Sequence, residues 1–139
     1  MNKKRWLSAG VLCAMALAAA SLPLAKGDAT DEIKRLAALM QWKPGAVVAD
    51  IGAGDGRWAF AAAHTVGATG KVFATEIDKE KLANLRADVA KRHLQNVVVL
   101  ESKDSDTSLP AECCDSIFLR RVYHHLTKPP DFDAALFAP

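Results

Sequence analysis

Apolar and polar positions along the chain follow two periods in turn. Over residues 31–42, Ile33, Leu36, Ala37, Leu39 and Met40 recur at helical spacing, which predicts an amphipathic helix stopped by Lys43-Pro44-Gly45. Thr30 or Asp28 can cap it. Residues 46–51 are apolar apart from Asp50 and predict a strand covered on both faces. That run breaks at Gly52, Gly54 and Gly56, and RWAFAAAHTV from Arg57 predicts a second helix ending at Gly67. A second strand is predicted over 71–77. Asp78 then caps a helix over about 79–93, with Leu82, Leu85 and Val89 as its buried stripe. Residues 97–100 and 115–122 predict a third and a fourth strand, with a polar loop over 101–108. Residues 123–130 read as loop, and 131–139 as the start of a helix. Strands alternating with helices at this spacing predict an α/β fold with a parallel sheet.

Composition changes the picture mainly at the N-terminus. The chain is 50% hydrophobic and 24% charged, which is ordinary for one globular domain. The formal charge of +2 leans on Lys3, Lys4 and Arg5; the remainder is slightly acidic, so no nucleic-acid partner is expected. This basic triplet precedes an uncharged, Ala- and Leu-rich stretch over 6–25, the pattern of a secretory signal peptide. Residues 1–29 are therefore expected to be signal peptide and linker, cut after Ala20, Ala25 or Ala29, and residues 30–139 the domain. Export to the periplasm or medium follows from that reading. The alternatives are an uncleaved membrane anchor, which Pro23 weakens, and a cytoplasmic protein with a misassigned start.

The strand, glycine loop and helix from Val47 onward form the nucleotide-cofactor corner of doubly wound, Rossmann-like sheets. Glycine there reaches positive φ and lets backbone N–H groups approach a ligand. Glu76 ends the second strand about twenty residues past Gly56, where such folds place a carboxylate for ribose hydroxyls. Asp50 sits at the mouth of the first strand. A loop built for pyrophosphate would be repelled by that carboxylate, whereas a cationic cofactor without phosphate suits it. Arg57 stands where the last glycine of a dinucleotide motif would be, which disfavours a nicotinamide cofactor.

VVADIGAGDG (47–56) resembles the first motif of class I S-adenosylmethionine-dependent methyltransferases, and FATEID (73–78) resembles their second. DSDTSLP (104–110) and DSIFLRRVYHHL (115–126) are similar to the segments after their third strand and around their fourth. The resemblance implies that Gly52, Gly54 and Gly56 pack against the methionine portion of S-adenosylmethionine, with Asp50 near its amino group. It further implies Glu76 on the ribose hydroxyls, Ile77 on the adenine face, Asp106 or Asp104 at the adenine amino group, and backbone around Leu119, Arg120 and Arg121 beside the sulfonium. Against these stand plainer readings: Asp50 bracing the loop, Glu76 as a solvated strand end, and Asp104 or Asp106 as a turn residue. Methyl transfer to an unknown small-molecule acceptor is the implied activity. The competing readings are a cofactor-binding remnant without catalysis and a nicotinamide-binding domain.

Tyr123, His124 and His125 are the candidates for chemistry on the acceptor side. Neighbouring side chains diverge, so a shared metal is not expected. Cys113 and Cys114 could form a redox or metal device. However, companion ligands at zinc spacing are missing and adjacent cysteines bridge with difficulty, so the expectation is two thiols beside a strand. The resembled fold has seven strands and four are read here. The expectation is thus a partial domain, a fragment or an interrupted product, whose fourth strand offers an open edge for self-association.

Overall fold

A computed structural model describes residues 29–136. Its elements, in chain order, are α1 (Ala29–Leu39), β1 (Val47–Ile51), α2 (Arg57–Val66), β2 (Lys71–Glu76), α3 (Lys79–Lys91), β3 (Val97–Glu101), β4 (Ser116–Leu119), a 3-10 turn (Tyr123–His125) and α4 (Pro129–Leu136). The four strands form one parallel sheet in the order β3-β2-β1-β4. The parallel α/β expectation holds, and the signal-peptide reading of the N-terminus lies outside the described residues.

Strand alternation sorts the core into two layers. Val48, Val72, Ala74, Val97 and Phe118 face α1, α2 and α3, where they meet Trp42, Trp58, Phe60, Val66 and Leu85. Ala49, Ile51 and Phe73 face the other way, onto Phe132 of α4 and the 109–114 segment. Two tryptophans close on Phe118 in the first layer, with ring centroids 5.4 Å (Trp42) and 6.5 Å (Trp58) away. The Trp42 indole N–H also donates to the Ser116 hydroxyl at 3.1 Å, which satisfies its polar edge inside an apolar cluster.

Local signals place most helix ends. The Asp78 carboxylate accepts from Glu80 N (2.9 Å) and Lys81 N (3.0 Å), the cap expected of α3. Gly67 ends α2 with φ 68, its N–H donating to Ala63 O. The Asn96 amide, 29 residues beyond Gly67, donates to both Ala63 O and Gly67 O at 2.9 Å and completes that end.

Three expectations are corrected. Leu39 does not join the buried stripe of α1; it is 78% exposed, because Ile33, Leu36, Ala37 and Met40 already fill the face toward the core. The fourth strand pairs only over Ser116–Leu119, since Arg121 turns to φ 57 and ends the extended run. Cys113 and Cys114 are not two free thiols but a disulfide.

Candidate functional site

In this strand order the direction of winding reverses between β1 and β4, and ligands of open parallel sheets bind outside the carboxyl ends of the strands at such a point. The loop after β1 sits there and is laced to the end of β2. Ala53 N donates to Thr75 O at 2.8 Å, Gly52 N lies 3.4 Å from Thr75 Oγ1, and Gly56 N donates to Ala53 O at 2.9 Å. Buried Thr75 was not singled out by the sequence; only the parallel register Ile51↔Thr75 brings it under the loop.

The three glycines serve different ends. A Cβ on Gly52 would collide with the side chain of Val122, and one on Gly56 with Leu85 and Phe60. Gly56 is therefore closely packed beneath α2 and α3. Gly54 looks onto open space, its nearest neighbour being Gly52 O at 4.0 Å. Substituting Gly56 by alanine combines a φ of 75° with those collisions and is expected to destabilise the fold by about 2–3 kcal/mol. Urea unfolding of the variant measures this directly; an unchanged midpoint would remove the packing role.

Glu76 is 5% exposed, so it is no solvated strand end. Its Oε2 accepts from Gly54 N (2.9 Å), and its Oε1 from Ile77 N (2.8 Å) and Asp78 N (3.0 Å). The carboxylate thus ties the open glycine to the end of β2 and keeps acceptor capacity to spare. Asp50 is 2% exposed on the α2 side of β1 and accepts from Ala59 N in the first turn of α2. Its Oδ2 is buried without a partner among the described residues. Burial above all, with Asp55 and Glu76 adding repulsion and Ala59 opposing, raises its pKa to about 7.

The remaining candidates are spread around this centre. Ile77 is 50% exposed directly after Glu76. Asp55 and Arg57 pair at 2.8 Å on the surface, which holds the Asp55 carboxyl below its usual range. Asp106 Oδ1 accepts from Ser108 N at 2.8 Å, as a turn residue does, and Asp104 Oδ2 lies 3.4 Å from Thr127 Oγ1; both are exposed. The Arg120 side chain lies over the Trp58 ring at 4.6 Å and pairs with Glu32 of α1 at 2.9 Å, so only its backbone remains at the end of β4. Tyr123 donates to Asp133 Oδ2 at 2.8 Å, which raises its pKa and keeps the phenol protonated. His124 and His125 are exposed, with ring centroids 4.0 Å apart.

A family model described as methyltransferase domain matches residues 48–138. The chain belongs to that family. Solved structures agree. A SAM-dependent methyltransferase from Aquifex aeolicus is 30% identical with a TM-score of 0.71, over 76% of this chain and 56% of that one. Coclaurine N-methyltransferase, solved with N-methylheliamine and SAH, is 21% identical with a TM-score of 0.59, over 71% of this chain and 30% of that one. A candidate rRNA-methylase from Clostridium thermocellum is 21% identical with a TM-score of 0.57, over 74% of this chain and 60% of that one. The last two speak for the fold alone. This chain spans less than two thirds of each of the three chains.

The methyltransferase family uses S-adenosylmethionine, and two observations on this chain fit that group. A buried carboxylate oxygen without a partner suits a cationic amino group. The open approach to Gly54, whose N–H is held by Glu76, leaves that side of the loop accessible to the rest of a ligand. The nicotinamide reading is set aside by the family match.

Proposed function

We infer that this methyltransferase-family chain binds S-adenosylmethionine at the β1–β4 switch point and serves methyl transfer to a small-molecule nucleophile. The observation that carries the reading is the unpartnered Asp50 Oδ2 beneath a glycine loop whose open member is held by Glu76. When bound, the cofactor supplies a methyl group activated on a sulfonium. The work of this chain is then to hold and align. Asp50 would meet the amino group, Glu76 the ribose hydroxyls with its remaining lone pairs, and Ile77 the adenine face. Asp106 and Asp104 stand as candidates for the adenine amino group, and the backbone at Arg120 for the edge of the sulfonium. Tyr123 donates to Asp133 and is poorly suited as a base, which leaves exposed His124 and His125 on the acceptor side.

Export remains part of the proposal. The basic and then apolar N-terminus supports it, as does a disulfide, because such bonds persist in oxidising compartments. The outer edge of β4, unpaired among the described residues, is the candidate surface for self-association.

Calorimetric titration of the full chain with S-adenosylmethionine tests the reading. Micromolar binding is expected, and Ile77→Ser, which alters an exposed side chain, should weaken it about tenfold while leaving the melting temperature in place. A folded wild type that takes up no S-adenosylmethionine would sink the cofactor assignment for this chain.

A further inference from the structure

Cys113 and Cys114 are joined by a disulfide in the segment that leads from the end of β3 back to the start of β4. Both are half-buried against the Phe132 cluster, and both line a cavity of about 630 Å³. A cross-link stabilises a fold by restricting the loops open to the unfolded chain, and a bond between neighbours in sequence closes no loop. The start of β4 is anchored by other means. Asp115 N donates to Val47 O, and Val47 N donates to Asp115 Oδ2, each at 2.8 Å. The disulfide is thus dispensable as a staple and reachable as a reactive group.

Its surroundings are acidic. Glu112 and Asp115 flank the pair in sequence, Asp106 and Glu112 line the same cavity, and among the described residues no lysine or arginine does. We propose that the Cys113–Cys114 bond is a site of reversible thiol–disulfide exchange, entered from this cavity and selective for cationic thiols over anionic ones. An attacking thiolate bonds to one cysteine sulfur as the S–S bond breaks, and the electron pair leaves on the other sulfur, which takes a proton from water. A second thiolate then attacks the small-molecule sulfur of the mixed disulfide, and the protein cysteine leaves as a thiolate and takes a proton from water. Two protein thiols and one small disulfide result: the protein is reduced and the thiol pair oxidised. The carboxylates repel an approaching anionic thiolate and leave a cationic one favoured.

The full chain, shown folded by circular dichroism, is treated with cysteamine or with 3-mercaptopropionate at matched thiolate concentration and then quenched with iodoacetamide. Mass spectrometry of the tryptic peptide 104–120 reads both cysteines and excludes Cys13. The peptide should carry no alkyl group before treatment and two after it. Cysteamine should react at least about fivefold faster at low salt, a ratio that shrinks in Glu112→Gln and in high salt. Two alkyl groups without any reductant, or reduction only after unfolding in guanidinium, would overturn the site. Equal rates for the two thiols in the wild type would overturn its selectivity.

Discussion

Glu76→Ala is expected to lower the unfolding free energy by about 3 kcal/mol, because one carboxylate accepts from three backbone N–H groups. Gly54 N suffers most: it is partly buried in a loop whose fold depends on that bond, whereas Ile77 and Asp78 lie where water can replace the lost acceptor. Against the roughly 5–15 kcal/mol typical of a domain, this is a large share. Glu76→Gln sharpens the test. If its amide oxygen keeps Ile77 and Asp78, its NH₂ faces the Gly54 N–H, donor against donor, and a loss of about 2 kcal/mol remains. Urea midpoints give both values, and hydrogen exchange at the Gly54 amide should quicken in both variants. A midpoint within experimental error of wild type for Glu76→Ala would remove the brace from the account. Because Glu76 also borders the proposed ribose site, weaker S-adenosylmethionine binding in these variants would not by itself separate support from contact. Exposed Ile77, whose replacement leaves the brace intact, tests the cofactor site without disturbing the loop.

The double role of Glu76 marks where the sequence stops being legible. Its position at the end of a strand, a fixed distance past the glycines, could be read along the chain, as could the Asp78 cap, whose partners lie two and three residues away. Its bond to Gly54 could not, since it exists only once β1 and β2 pair in parallel and the loop folds back over the β2 end. The same holds for Thr75 under Gly52 and for Asn96 at the end of α2. Gly52, Gly54 and Gly56 look alike as letters, and only the placement of Val122, Leu85 and Phe60 tells two filled positions from one open one. Arg120 could be placed at the end of β4, but Glu32, far away along the chain, decides where its side chain goes. Leu39 shows the opposite failure. Helical spacing alone includes it in the stripe, whereas packing against the core cluster takes Ile33, Leu36, Ala37 and Met40 without it.

Asp50 should make the stability of the unliganded protein fall as pH rises from about 4 to about 7. Its pKa in the fold, about 7, lies above the usual 3.8, so the folded chain holds a proton that the unfolded chain has released throughout that window. Stability is at its fullest below the lower value, declines between the two, and levels off above the upper one. Three pH units correspond to at most about 4 kcal/mol, and burial at 2% exposure leaves little water to screen it. Asp50→Asn removes the ionisation and should flatten this decline. At pH 7.5 the variant should exceed wild type by about 2 kcal/mol, the difference between the relieved burial of charge and the cost of an amide N–H₂ without an acceptor. Melting temperatures of the two proteins between pH 4.5 and 7.5 give the comparison; a wild-type curve as flat as that of Asp50→Asn would contradict it. A cationic amino group placed against Oδ2 reverses the balance, because it favours the carboxylate. Binding of S-adenosylmethionine near pH 6 should therefore release up to one proton, seen by calorimetry in buffers of different ionisation enthalpy, and Asp50→Asn should abolish that release. The cost of burying this carboxylate in the free protein and its relief on binding are then one quantity measured from two sides.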